Sequence, residues 1–325
     1  MDGKSLSHAH YRMDRWTGLP VLVAPSRGAM KAPPWGGLPP LEGPCPFCPG
    51  NENACEATTQ WLGDPWRVRA VLNRYPLVHP AGLPIEGSTF ETALGVHEVI
   101  VEHREHSMDI TQMRPDECFE VLWMWRARMR ALEKLKGVRS LILFKNRGLR
   151  AGSSQPHPHS QLVALHAVPP AIAARSLQAR HRGQLQGGAF VRALCAEELA
   201  HPERLVLERG SLWAFCPWAS PKAFWLRIAF DQSAGRFSEL PDQALWTLAG
   251  SIGPLLRSIL MAAQTQDFNL FILDPPLNES YGFSIEVVPR TSLDAGFELA
   301  SGLAVCTCPP EQAAPAIREA LRMAT

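Results

Sequence analysis

Nowhere does this chain run to the eighteen or so consecutive apolar residues that a membrane-spanning helix needs, and residues 1 to 16 lack the apolar core of a secretory signal. A cytoplasmic protein with no membrane partner is expected. Charge of either sign is also missing: 32 lysines and arginines against 31 aspartates and glutamates leave +1. That field is too weak to gather nucleic acid, so the expected partner is a small molecule. Cysteine is scarce as well, eight in 325 residues, which excludes a disulfide scaffold. Cys45 and Cys48, however, have the two-residue gap of metal ligands. Reduced thiols and one metal site are the reading.

What is present is a large apolar fraction, 46% against 19% charged residues, enough for one large core or two moderate ones. Residues 28 to 50 concentrate proline and glycine and read as a wrapped loop between strands at Val21–Ala24 and Trp66–Leu72. A strand follows at Val96–Glu102. Pro115-Asp116-Glu117 makes a helix start, and Cys118, Val121, Leu122, Trp125, Met129, Leu132 and Leu135 recur at helical spacing up to Gly137. No polar group recurs among these Trp and Met residues, so they read as core rather than as a cofactor box.

Val138–Lys145 reads as a buried strand, Asn146–Pro156 as a loop and His157–Leu165 as a strand. Residues 204 to 289 repeat that order, with strands near Leu205, Leu212 and Phe224–Phe230, a helix over 242–263, and strands at Phe268–Leu273 and Gly282–Val288. Both runs end in Val-Pro, at Val168-Pro169 and Val288-Pro289. A structural duplication is expected, divided into residues 1–175 and 176–325 within an Arg-, Gln- and Gly-rich link.

Strand residues alternate faces, so His157, His159 and Gln161 share one face. Such a row is either a solvated face with incidental imidazoles or a functional set. The preceding Gly152-Ser153-Ser154, with backbone N–H and hydroxyl donors suited to phosphate oxygens, favours the functional set.

At this point the segment FKNRGLRAGSSQPHPHSQ (144–161) resembles the active-site segment of galactose-1-phosphate uridylyltransferases and the related ADP-glucose phosphorylases, members of the histidine-triad superfamily. CPFCPGNE (45–52), LNRYP (72–76), HEVIVEHREHS (97–107) and GFELASG (296–302) are similar to that family's other motifs, in the same order. The resemblance implies an α+β fold of two histidine-triad-like repeats, each an antiparallel sheet with helices packed on one side, in a homodimer with sites completed across the interface. It implies zinc held by Cys45, Cys48, His106 and His157, a closed structural set. His103 and His97 are rival ligands in the same segment. Cys55 lies close enough to substitute for a ligand but reads as a buried thiol, as do Cys118, Cys195 and Cys216, while Cys306 and Cys308 read as strand residues.

The resemblance further implies that His159 attacks the α-phosphorus of an NDP-sugar, releases sugar 1-phosphate and carries the nucleotide as a phosphoramidate to a second phosphate acceptor. Gln161, Gly152, Ser153 and Ser154 would donate to the transferring phosphoryl, and Asn146 matches the phosphate-loop asparagine. Asn73 and Arg74 resemble the nucleoside-binding pair, with a turn cap before Tyr75-Pro76 as the alternative for Asn73. Arg27 and Lys31 sit where the family places basic residues near the diphosphate, and Glu298 matches a sugar-hydroxyl acceptor.

The second repeat has Tyr281-Gly282-Phe283-Ser284-Ile285 where some uridylyltransferases carry histidines, so it is expected to be catalytically silent, without a second metal. Ala304 replaces a family glutamine, and GFELASG is closer to the ADP-glucose phosphorylase pattern. Uridylyl transfer between hexose 1-phosphates is the first expectation. ADP-glucose phosphorolysis and dinucleoside-polyphosphate cleavage are the alternatives within the superfamily, and a non-catalytic zinc-stabilised nucleotide binder is the alternative outside enzymes.

Overall fold

Two strands near the N-terminus, β1 (His10–Met13) and β2 (Pro20–Val23), pair antiparallel in a computed structural model that describes residues 9–25, 43–80, 93–230 and 234–324. The first half continues with β3 (Thr58–Leu62), β4 (Val68–Leu72), β5 (Gly95–Val101), helix α1 (Pro115–Leu132), β6 (Ser140–Arg147) and β7 (His159–Leu165). Helices α2 (Pro170–His181) and α3 (Ala189–Leu199) lead to the second half. It runs β8 (Leu205–Arg209), β9 (Leu212–Phe215), β10 (Leu226–Phe230), α4 (Asp242–Ala263), β11 (Phe268–Leu273) and β12 (Ser284–Pro289). Short helix α5 (Gly296–Ser301), strand β13 (Ala304–Cys306) and helix α6 (Pro310–Ala324) close the chain.

The halves have one topology. Strand order is β3-β4-β5-β7-β6 in the first and β8-β9-β10-β12-β11 in the second, with one long helix after the third strand of each. This is the duplication that element order suggested. The halves also meet edge to edge, β6 pairing antiparallel with β11 from Arg147↔Phe268 to Leu143↔Ile272, so ten strands form one sheet. β13 lies parallel to β2 in a separate three-stranded sheet. Residues 175 and 176, the expected division, fall inside α2.

Element ends differ from the sequence reading where proline and glycine intervene. The catalytic-segment strand begins at His159 rather than His157, because Pro156 and Pro158 lack the N–H that a ladder needs. α1 starts on Pro115 as expected, with Glu117 accepting from the Arg114 N–H at 2.9 Å. It stops at Leu132, and Gly137, at φ +86°, ends the turn that follows.

α1 and α4 pack side by side over one face of the sheet, with α6 against α4. Val121, Leu122, Trp125, Met129 and Leu132 of α1 are buried there beside Leu162 and Ala164 of β7, which makes the Trp and Met residues core. An 18-residue window of α4 is apolar enough to span a bilayer, but 67% of that window is buried inside the protein, which makes it a core helix. On the opposite face the halves diverge. In the second, α2 and α3 with Trp16 cover Trp213, Phe215 and Ala229. In the first, that face carries the polar residues of β5 and β7.

The alternation along β7 sorts chemistry from packing. Ser160 points to the helices and accepts a hydrogen bond from Trp125 Nε1 at 2.7 Å, whereas His159 and Gln161 point away. Behind β7, Lys145 is 1% exposed and its Nζ lies 2.7 Å from Glu102 and 3.2 Å from Asp109. Burial opposes ionisation of Asp109, yet Lys145 and Arg147 hold its carboxyl below the ordinary range. This ion cluster ties β6 to the segment after β5. Lys145→Ala leaves both carboxylates without their buried partner and is expected to cost about 3–5 kcal/mol, read as a lower midpoint in urea unfolding; a variant as stable as the parent would contradict this role.

Candidate active site and metal centre

Four side chains from three segments converge beside the start of β7. The ligand atoms of Cys45, Cys48, His106 and His157 all lie within 4.8 Å of one another. Cys48 Sγ is 3.3 Å from His106 Nδ1 and 3.6 Å from His157 Nδ1, and Cys45 Sγ is 3.7 Å from His157 Nδ1. A tetrahedral ion bound at about 2.0–2.3 Å spaces its ligands by about 3.3–3.8 Å, so this Cys₂His₂ set can hold one metal ion. Its support is in place: His157 Nε2 is 2.8 Å from the His103 carbonyl, which takes the ring proton and leaves Nδ1 with its lone pair facing the thiols. Burial pushes the His157 pKa down to about 4, so the ring is neutral.

The rival residues have other partners. His103 contributes that carbonyl while its ring lies 3.7 Å from Glu117. His97 stands among Asn73, Leu77 and Gln161. Cys55 donates to the Pro46 carbonyl at 3.1 Å.

His159 sits two residues beyond the metal set, 7% exposed. Its Nδ1 lies 2.9 Å from the His157 carbonyl, so Nδ1 carries the proton and Nε2 the free lone pair. Burial, with the Lys145 charge adding to it, pushes the His159 pKa down to about 4. The imidazole is neutral at physiological pH. Phe47, inside the Cys-x-x-Cys turn, packs its ring 5.4 Å from that of His159.

His159 stands at the wall between two cavities. One, of about 620 Å³, is lined by Phe47, Val71, Leu72, Asn73, Arg74, Tyr75, Val99, Ser154 and Gln161 among others. The second, of about 340 Å³, is lined by Lys145, Asn146, Arg147, Ser153, Gln266 and Asp267 among others. His159 and Gln155 line both. The larger cavity is apolar on one side and polar toward Gln161; the smaller is strongly charged.

The sequence-derived residues divide accordingly. Gln161, Asn73, Arg74 and Ser154 reach the larger cavity, Asn146 and Ser153 the smaller. Asn73 is also the turn cap weighed as its alternative, Oδ1 accepting from the Tyr75 N–H at 2.8 Å. Gly152 lines neither cavity, and its N–H is already donated to the Leu149 carbonyl; the Ser153 N–H goes to Gly148 and its hydroxyl to Gln155. The Gly152 and Ser153 N–H groups are therefore engaged within their own loop, whereas Gln161 and Ser154 line the larger cavity with His159. Glu298 lines neither cavity and accepts from the Ala295 N–H at the start of α5. Arg27 and Lys31 lie outside the described residues.

Four residues that shape the site were not singled out from the sequence. Lys145 and Phe47 flank His159 from the buried side and the metal side. Asn269, from the second half, donates to Asn146 Oδ1 at 2.8 Å and to the Ala151 carbonyl at 2.9 Å. Asp267 accepts from the Arg150 N–H at 2.9 Å, and a Cβ on Gly148, at φ +85°, would lie 1.9 Å from its Oδ1. Only glycine permits that approach. The second half thus holds the phosphate-loop segment of the first, and only the β6–β11 register reveals it.

A duplicated α+β sheet carrying a neutral, backbone-oriented histidine beside a Cys₂His₂ set defines a nucleotidyltransferase of the histidine-triad class. The chain belongs to the galactose-1-phosphate uridyl transferase family, whose N-terminal domain model matches residues 3–169. It is 26% identical to an ADP-glucose phosphorylase of Arabidopsis thaliana over 297 residues, 86% of this chain and 83% of that one. It is 26% identical to a galactose-1-phosphate uridylyltransferase of Haemophilus influenzae over 260 residues, covering 74% and 71%. The crystal structure of an Arabidopsis thaliana ADP-glucose phosphorylase with bound ADP-glucose superposes with a TM-score of 0.83 at 25% identity, over 96% of this chain and 99% of that. A solved uridylyltransferase gives 0.75 at 25% identity, over 96% and 98%.

Loss of one thiol from a four-ligand set leaves three donors and an open position. Cys48→Ala is expected to lower bound transition metal from one ion per chain to a small fraction, by elemental mass spectrometry, and to lower the Tm. Equal metal content in variant and parent would place the ion elsewhere.

Proposed function

We propose that this chain moves a nucleoside monophosphate from an NDP-sugar to a sugar 1-phosphate or phosphate through a covalent nucleotidyl-His159, acting as a hexose-1-phosphate uridylyltransferase. The observation that carries the reading is the His159 imidazole: neutral, with Nδ1 held by the His157 carbonyl at 2.9 Å and Nε2 free between two cavities.

The larger cavity receives the nucleoside and the smaller the sugar phosphate. His159 Nε2 attacks the α-phosphorus, the bond from that phosphorus to the bridging oxygen breaks, and sugar 1-phosphate leaves with the electron pair. The imidazole, now bonded to phosphorus, carries positive charge, which the His157 carbonyl stabilises through Nδ1–H. A phosphate leaving group is already a weak base, so little acid catalysis is required. An oxygen of the second phosphate then attacks, the P–N bond breaks, and neutral His159 returns. Gln161 and Ser154 donate to the transferring phosphoryl oxygens. The Gln161 amide is neither a general acid nor a general base near neutral pH, so it does not activate water, which favours transfer over hydrolysis.

We assign zinc to the Cys₂His₂ set, where two thiolates and two imidazoles suit that ion. Bound there, it supplies no open coordination position and acts by fixing the segment that ends in the His157 carbonyl.

Residues 1–175 form the catalytic unit in this reading and residues 176–325 a silent one that braces it. A second reading, transfer of AMP with phosphate as acceptor, is favoured by the Arabidopsis thaliana ADP-glucose phosphorylase being similar over most of both chains, and by the GFELASG segment.

Incubation with α-³²P-labelled UDP-glucose and ADP-glucose tests both. Acid-labile, base-stable label is expected on the parent and none on His159→Gly, with the labelled base giving the specificity. An unlabelled parent with every NDP-sugar would leave a nucleotide binder.

A cytoplasmic homodimer completes the proposal. Glu298 is outside both cavities of its own chain, and its helix α5 exposes Phe297 and Leu299, the latter by 76%. A second copy presenting this helix brings Glu298 to a sugar. Mixing inactive His159→Gly with Glu298→Ala chains is expected to restore up to about a quarter to a half of parent activity, because exchanged dimers regain one complete site; absence of any restoration on subunit exchange would argue for sites within one chain.

A further inference from the structure

An amide presents two N–H donors on one side and a carbonyl oxygen on the other, and a half-turn about one bond exchanges them. Beside a transferring phosphoryl group the two sides act oppositely, the N–H groups stabilising its oxygens and the carbonyl repelling them. Gln161 therefore needs a partner that chooses its orientation before substrate arrives. The residues around it supply one.

The Leu77 N–H is 3.1 Å from His97 Nδ1. A backbone N–H only donates, so Nδ1 carries the lone pair and the ring proton is on Nε2. That Nε2 lies 3.0 Å from Gln161 Oε1, a contact in which the imidazole donates and the amide oxygen accepts. Asn73 is oriented by the same logic: its Oδ1 takes the Tyr75 N–H at 2.8 Å, which turns its Nδ2 inward, 3.4 Å from the same Gln161 Oε1. Asn73 Nδ2 and His97 Nε2 are 3.1 Å apart; both are donors and both converge on the one oxygen. Each line of hydrogen bonds starts from a backbone N–H whose sense cannot be inverted.

From this geometry we infer that His97 is a positioning residue, which locks the Gln161 amide with its oxygen turned away and its NH₂ group facing the His159 side of the larger cavity. Among the described residues no protein acceptor takes the Gln161 Nε2 hydrogens, so both remain for a ligand. His97 is 4% exposed, and burial lowers its pKa below the ordinary histidine value. It stays neutral, the only state that offers one acceptor to Leu77 and one donor to Gln161. The inference rests on the proposed transfer reaction for its catalytic meaning and on the hydrogen bonds alone for the orientation.

Two near-isosteric variants separate donor from acceptor. His97→Gln keeps an N–H group able to reach Gln161 Oε1, whereas His97→Glu offers only oxygens, which attract the Gln161 NH₂ group and turn the amide round. Single-turnover formation of the labelled nucleotidyl-enzyme is expected to fall within about threefold of the parent in His97→Gln and about 10- to 100-fold below it in His97→Glu, with KM changing far less than kcat. In a Gln161→Leu background the difference between the two variants disappears. Equal rates for Gln and Glu, or a difference that persists without Gln161, would overturn the lock.

Should the Glu chain fail to fold, judged by its metal content, His97→Phe replaces it as the variant without a donor, with the same expectation and the same refutation. If the parent takes no label from any NDP-sugar, the function reading fails while the lock stays testable. The Gln161 side-chain amide ¹⁵N–¹H signals are then expected to shift in His97→Glu and to hold in His97→Gln.

Discussion

The hydrogen bond from His159 Nδ1 to the His157 carbonyl, 2.9 Å long, is the contact from which the site takes its meaning. It fixes the tautomer, hence which nitrogen keeps its lone pair, and the ring plane, hence where that nitrogen points. The carbonyl can do this only because its own residue is immobilised. His157 Nδ1 faces two thiols at 3.6 and 3.7 Å, its Nε2 is bonded to the His103 carbonyl, and prolines stand on either side of it in the chain. A metal ion bound there would act on His159 at two residues' remove, through backbone geometry.

Around this centre orientation is decided repeatedly by groups that cannot reverse their sense. Backbone N–H groups of Leu77 and Tyr75 orient His97 and Asn73. Asn269 orients Asn146 by donating to its Oδ1. The result is a site preorganised for anionic oxygens, with its polar side chains held by partners other than the substrate. Beneath the site, the buried Lys145 ammonium is paired with the Glu102 and Asp109 carboxyl groups, which ties β6 to the segment after β5.

The second half is part of this arrangement. Its sheet continues the first through β6 and β11, and its Asn269 and Asp267 hold the loop between β6 and β7. On the face equivalent to the one that bears His159 it buries Trp213, Phe215 and Ala229 under α2 and α3. One copy of the duplicated unit thus keeps an open polar face while the other closes it, and both share the helix layer that forms the main core.

The sequence by itself determined a good deal: the repeat of elements, the long helices with their apolar faces, the placing of His159 and Gln161 on one strand face, and the four residues of the metal set. These are local properties, carried by residue spacing and by motifs short enough to read in a line. It did not determine where the β7 ladder begins, because that depends on two missing N–H groups, nor that the Gly152 and Ser153 N–H groups are spent within their own loop. Tertiary structure alone decided that Asn269, more than a hundred positions away, orients Asn146, that His97 belongs to Gln161 rather than to the Cys₂His₂ set, and that Glu298 lines neither of the two cavities beside His159. Each of these depends on strand register or on which chain segment passes a given point in space, and register is set by the pairing of segments that the linear order keeps apart.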